Sequence, residues 1–167
     1  MIFVTVGSDI PFDRLIKAVD LWAGKMNRHD VFAQVGRKGW APEFITSTEM
    51  LEPPEFAERL VASSIVIGHA GMGTVLSALQ HSKPIIVMPR RGHLGETRND
   101  HQMATARHLL AMGKVNVAYD EFELFQRLDH HEQLVPLQPI AAYASSELMG
   151  NLRDFIYQRE AKGVGSH

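Results

Sequence analysis

Residues 65–102 read IVIGHAGMGTVLSALQHSKPIIVMPRRGHLGETRNDHQ, and this stretch decides the fold. Ile65-Val66-Ile67 is a short apolar run of β-branched residues, the pattern of a strand buried on both faces of a parallel sheet. The segment Gly68 to Thr74, GHAGMGT, places glycines at 68, 71 and 73, where the chain can turn sharply and approach a ligand closely. Val75 to His81 has helical spacing, Lys83-Pro84 breaks it, and Ile85 to Met88 is a second apolar run. Strand, glycine turn, helix and strand make a βαβ unit. A glycine turn that opens a helix presents backbone N–H groups and the positive end of the helix dipole to an anion, usually phosphate. A merely tight turn would carry the same glycines.

The residues after the second strand point toward a ligand. Pro89 to Gln102 is too polar for a core and lies at the carboxyl end of a parallel strand, where ligands of open α/β sheets are met. Arg90 and Arg91 supply forked cations suited to phosphate or carboxylate, and either is a candidate to stabilise charge during a reaction. Asn99, Asp100, His101 and Gln102, at a helix start, have side chains that hydrogen-bond sugar hydroxyls or cap the helix. Glu96 reads as a salt-bridge partner of Arg98 or as part of a solvated loop rather than as an acid or base.

Outward from this unit the alternation continues. Ile2 to Val6 is a strand ending at Gly7-Ser8, a second candidate phosphate turn whose alternative is an ordinary strand-to-helix connection. Asp9 to Phe12 is a turn, and a helix from about Phe12 to Met26 carries a broad apolar face of Leu15, Ile16, Val19, Leu21 and Trp22. Further strands are expected at Val31 to Val35, Phe44 to Thr46 and Val115 to Ala118. Further helices are expected at Glu55 to Ala62, Asp100 to Met112, Glu121 to Leu128 and about Ser145 to Arg159, with an extended connection from Leu134 to Ile140. The expected architecture is one Rossmann-like, doubly wound α/β domain over residues 1–160 with a mostly parallel sheet, and a flexible tail over 161–167.

Composition narrows the function classes. A chain of 167 residues with 45% hydrophobic and 22% charged residues has the material for one sizeable core. A net charge of −2 gives no support to a nucleic-acid partner. Without cysteine there is no disulfide or thiolate chemistry, which fits a cytoplasmic setting. The N-terminal run MIFVTV reads as a strand rather than a signal peptide, and no stretch approaches the ~18 apolar residues of a membrane span. The glycines depart from G-x-G-x-x-G, and G-x-x-x-x-G-K-[ST] and G-x-S-x-G are both missing. The histidines make no convincing ligand set, so no metal is expected.

The segments MIFVTVGSDIPFDRLIKAV, GHAGMGTVLSAL, KPIIVMPRR and NDHQMATA together resemble the small nucleotide-sugar-binding subunits of two-part glycosyltransferases, which belong with the C-terminal domain of glycosyltransferase family 28. The run RRGHLGETRNDHQMATA is especially similar to bacterial exopolysaccharide glycosyltransferase subunits. The resemblance spans Met1 to about Gly113. It implies the donor-binding, C-terminal half of a GT-B glycosyltransferase, with a UDP-sugar as donor substrate and no tightly bound cofactor. Because two such domains need about 300 residues, the resemblance also implies a separate membrane-anchored partner that holds a lipid-linked saccharide acceptor and the catalytic base. The chain would then work at the cytoplasmic face of a membrane, and alone it would be inactive and apt to form a homodimer through its exposed partner surface.

Carried over residue by residue, the resemblance assigns Gly7 and Ser8 to a first diphosphate turn and His69, Gly71, Gly73 and Thr74 to a second. It assigns His101 and Gln102 to the donor sugar. Ser77 stands where many relatives carry an acidic residue that holds the ribose, so ribose recognition would rest on a shorter, uncharged group. Arg90 or Arg91 would face the leaving diphosphate, or a sugar carboxylate if the donor were UDP-glucuronic acid. A nucleotide-sugar-binding module without transfer activity, and a small NAD- or nucleotide-dependent enzyme, are the alternative readings.

Overall fold

The strands are the apolar runs of the sequence. β1 (Ile2–Thr5), β2 (Val31–Gln34), β4 (Ile65–His69) and β5 (Ile85–Met88) are buried along their lengths, apart from a half-buried His69; β3 (Thr46–Thr48) and β6 (Asn116–Val117) are short. The computed structural model describes residues 1–8, 10–135, 150–151 and 154. Within them the six strands form one sheet in the order β3-β2-β1-β4-β5-β6, every pairing parallel, where a mostly parallel sheet was expected. The expected helix over 145–159, the connection beyond Val135, the tail and Asp9 of the first turn lie outside the described residues.

Alternation along each strand sorts the core into two layers. Ile2, Val4 and Val6 face helices α1 (Asp13–Lys25) and α5 (Glu121–Asp129), where Leu15, Ile16, Val19, Leu124 and Leu128 are buried against them. On the other face Phe3, Val66, Ile85 and Val87 pack under α2 (Pro53–Ala62), α3 (Met72–Gln80) and α4 (His101–Ala111) through Leu60, Val75, Leu79 and Leu109. Helices on both faces of a parallel sheet give the doubly wound arrangement. The order of strands reverses between β1 and β4, and such a switch point opens a crevice at the carboxyl ends of the strands.

Element ends differ from the sequence reading where side chains outside the element intervene. The third strand was expected over Phe44 to Thr46 but begins at Thr46. The backbone amides of Glu43, Phe44 and Ile45 donate instead to the carboxylate of Asp20, a buried residue of α1, so two of the expected strand residues spend their amides on it. The helix expected from Glu55 starts at Pro53, with two prolines in its first turn, where their missing N–H groups cost little. The helix expected from Val75 starts at Met72, so Gly73 lies inside its first turn. Gly113 ends α4 with φ of 66°, the left-handed conformation at which glycine stops helices.

Candidate nucleotide-sugar site

The two glycine turns leave adjacent strands. Thr5 of β1 is level with Gly68 of β4, so Gly7-Ser8 and Gly71-Met72-Gly73 emerge side by side at the switch point. His69, the last residue of β4, packs its imidazole against both turns. A Cβ at Gly71 would stand 2.0 Å from His69 Nε2, and one at Gly7 would stand 2.8 Å from Cε1, so a side chain at either position would collide with the ring. Gly7 also has φ of 81°.

Above these turns is a cavity of about 530 Å³. It brings together most of the residues selected from the sequence: Gly7, Ser8, His69, Gly71, Gly73, Thr74, Ser77, Arg90 and Gln102 all line it. α3 begins against the cavity with Gly71 as an extended N-cap that makes no side-chain capping bond. As a glycine it offers the first amides of α3 no side-chain cap, and these lie at the positive end of the helix dipole. Ser77, one turn further on, donates its hydroxyl to the Gly73 carbonyl at 2.8 Å, turning back onto its own helix.

The two arginines part company. Arg90 is 3% exposed and its guanidinium donates to the carbonyls of Val6, Ile10, Pro11 and Glu96 while lying over the Phe12 ring at 4.8 Å. A buried cation needs such partners. These four bonds occupy its paired nitrogens, so Arg90 braces the turn after β1 and contributes charge to the cavity wall rather than a forked grip. Arg91 turns away: it donates to the Tyr119 carbonyl and lines a separate pocket with His93, Asp100 and Arg107. Of the two arginines expected as candidates, Arg90 lines this cavity and Arg91 does not, because successive residues of extended backbone point to opposite sides.

Glu96 is also reassigned. Its partner is Arg14 of α1, with Arg14 Nε and Nη2 at 2.5 and 2.9 Å from the carboxylate, and not the exposed Arg98. Partial burial opposes the Arg14 charge, but the hydrogen bond and charge of Glu96, with Glu121 behind them, outweigh it and hold the guanidinium above its ordinary pKa. Glu96 also accepts from the Arg91 amide, so the β5–α4 loop is tied to α1 at one end of the cavity.

His101 and Asn99 do not line the cavity, whereas Gln102 and Thr97 do. Neighbouring residues on a helix diverge by 100°, so His101 and Gln102 do not share a face. The Asn99 side chain accepts from the His101 amide and Asp100 accepts from the Gly92 amide, both bonds that hold the loop and the start of α4. Gln102 accepts from the Arg90 amide through Oε1 at 3.0 Å, which leaves its NH₂ as the donor end. Sequence reasoning missed the opposite wall, made by Gln34, Met50, Leu51, Pro53 and Phe56. Its one local signal was a polar glutamine ending the apolar run of β2.

The cavity is lined by the apolar side chains of Met50, Leu51, Pro53 and Phe56 and by the start of α3, so it offers apolar contact beside a helix N-terminus that favours an anion. None of the described lining residues is Asp or Glu, so none of them supplies a carboxylate base. Among the described residues no cluster of three or more His, Asp or Glu side chains is placed to hold a metal ion, and no helix is long and apolar enough to cross a membrane.

Residues 1–139 match the model of the glycosyltransferase family 28 C-terminal domain. A curated relative, UDP-N-acetylglucosamine transferase subunit ALG13 of Eremothecium gossypii, is 32% identical over 97 residues, covering 55% of this chain and 46% of the relative. The matched region thus spans about half the length of that protein. Among solved structures, the NMR structure of ALG13 superimposes with a TM-score of 0.62 at 19% identity, covering 93% of this chain and 96% of the other. MurG of Acinetobacter baumannii superimposes at 0.58 and 17% identity, over 91% of this chain and 49% of that one. Likeness at these identities is a likeness of fold.

Proposed function

This chain belongs to the glycosyltransferase family 28 C-terminal domain family, and on that premise we propose that it is the donor-binding subunit of a UDP-sugar-dependent glycosyltransferase. The observation that carries the reading is the pair of glycine turns at the switch point, with the uncapped start of α3 between an apolar wall and a polar one. The diphosphate would lie across Gly7-Ser8 and the first turn of α3, the base against Met50, Leu51 and Phe56, and the sugar toward Thr97 and Gln102. The share of this chain in the chemistry is electrostatic. As the glycosidic bond breaks, the departing diphosphate gains negative charge, and preorganised amides at a helix start together with the fixed charge of Arg90 favour that state. The similarity to a transferase subunit supports a two-part enzyme. The partner proposed is a membrane-anchored subunit that binds a lipid-linked saccharide in exopolysaccharide or glycan biosynthesis and supplies the base, holding this chain at the cytoplasmic face of the membrane.

Calorimetric titration of the purified chain with UDP, UDP-N-acetylglucosamine, UDP-glucose and UDP-glucuronic acid, with NAD as control, tests the reading. Saturable binding of the UDP compounds and none of NAD is the expected result. If neither the chain nor its complex with the co-purified partner binds any UDP compound, the reading is wrong.

A further inference from the structure

Gln34 closes β2 in the cavity wall opposite α3 and is 4% exposed. Its Nε2 donates to the Gly7 carbonyl at 3.3 Å and lies 3.8 Å from the Met50 sulfur. Its Oε1 is buried with no hydrogen-bond partner among the described residues. A buried acceptor left unpaired is a cost to stability that an apolar side chain of the same length would avoid. The carboxamide is therefore a poor choice for packing alone, and its bond ends on the turn assigned to the diphosphate.

We infer that Gln34 is a positioning residue for the donor's diphosphate, an inference that rests on reading the cavity as the nucleotide-sugar site. The turn after β1 is held from two sides. Arg90, from beyond β5, takes the carbonyls of Val6 and Ile10, and Gln34, from β2, takes the Gly7 carbonyl between them. The Gly7 amide is directed to Thr5 Oγ1 at 3.3 Å. In a trans peptide the N–H points opposite to the carbonyl, so drawing the Gly7 carbonyl toward Gln34 also sets the direction of the Ser8 amide. At a glycine of φ 81°, no side chain restrains that peptide plane. Without Gln34 the plane can rotate, and the phosphate meets a turn that must be ordered on binding.

The test uses the full-length chain and its Gln34→Met and Gln34→Glu variants, with thermal unfolding alongside titration by UDP and by uridine. Gln34→Met removes the unpaired Oε1 together with the bond to the Gly7 carbonyl, so it should melt close to the parent temperature, and it should bind UDP roughly 3- to 10-fold more weakly, the loss of about one neutral hydrogen bond, with uridine binding unchanged. Gln34→Glu keeps the length but, when ionised, cannot donate to the Gly7 carbonyl, and it should lose more UDP affinity than Gln34→Met. Parent-like UDP affinity in Gln34→Met overturns the inference, as does equal loss for UDP and uridine, or a melting temperature lowered in step with the affinity. A parent chain that binds no UDP, with or without its partner, overturns the reading of the cavity and this role with it.

Discussion

Gly73 separates the demands of the fold from those of the ligand. It is the second residue of α3 and lines the cavity, and a Cβ built on it meets no heavy atom within 4 Å. Gly73→Ala therefore adds a methyl group without a clash, and alanine in a helix is favoured over glycine by about 0.5–1 kcal/mol, largely through the unfolded chain. For a domain of this size that raises the melting temperature by roughly 1–4 °C. The same methyl stands at the edge of the uncapped helix start, where a phosphate oxygen would draw close to the backbone. Displacing one charge-assisted hydrogen bond costs about 1.5–3 kcal/mol, or roughly 10- to 150-fold in Kd. Scanning fluorimetry and calorimetric titration with UDP, run on the same samples, should show a protein that is more stable and binds less. Gly71→Ala is the contrasting variant: its Cβ would fall 2.0 Å from His69 Nε2, so stability and binding should fall together. A Gly73→Ala protein that binds UDP as tightly as the parent would show that the start of α3 does not receive the phosphate.

Three further outcomes test the surrounding framework. Arg90→Met leaves the Val6, Ile10, Pro11 and Glu96 carbonyls without their shared donor and should lower urea-unfolding stability by about 2–4 kcal/mol, as loss of a donor from several partly buried acceptors does; a loss under about 1 kcal/mol would show that the carbonyls find other donors. Asp20→Ala removes the acceptor of three loop amides at a 3% exposed position and should cost about 2–4 kcal/mol, with hydrogen exchange at Glu43, Phe44 and Ile45 accelerated, whereas protection unchanged at those amides would refute the capping role. The Asp30 carboxyl is held below its ordinary pKa by hydrogen bonds from Arg28, with partial burial opposing. A lowered folded pKa contributes stability that is present above the unfolded pKa near 4 and lost as pH falls through the folded value. Asp30→Asn should thus cost about 0.2–1 kcal/mol at pH 7, as exposed pairs do, and flatten the acid limb of the stability curve; an unaltered limb would exclude this pair as its source.

Much of the architecture was legible because it is written locally. Buried parallel strands are continuous apolar runs, helices keep their period, and glycine and proline mark the joints, so 65–88 announced a βαβ unit without help from the rest of the chain. The positions of both glycine turns followed from the same signals. What had no local signature was which distant group meets which. Phe44 and Ile45 look like strand until Asp20, from a helix more than twenty residues earlier, takes their amides. Arg90 and Arg91 are neighbours in sequence, yet one enters the cavity wall and the other donates to Tyr119, because consecutive residues of the extended backbone after β5 point to opposite sides. Glu96 finds Arg14 across 82 positions, and Gln34 reaches Gly7 across 27. Sequence alone thus determined the kind of sheet and where its glycine turns would be, since both depend on short-range sterics and periodicity. The partners of the charged and amide side chains were decided only when whole elements packed, since a hydrogen bond between distant residues depends on register and crossing geometry that no local window contains.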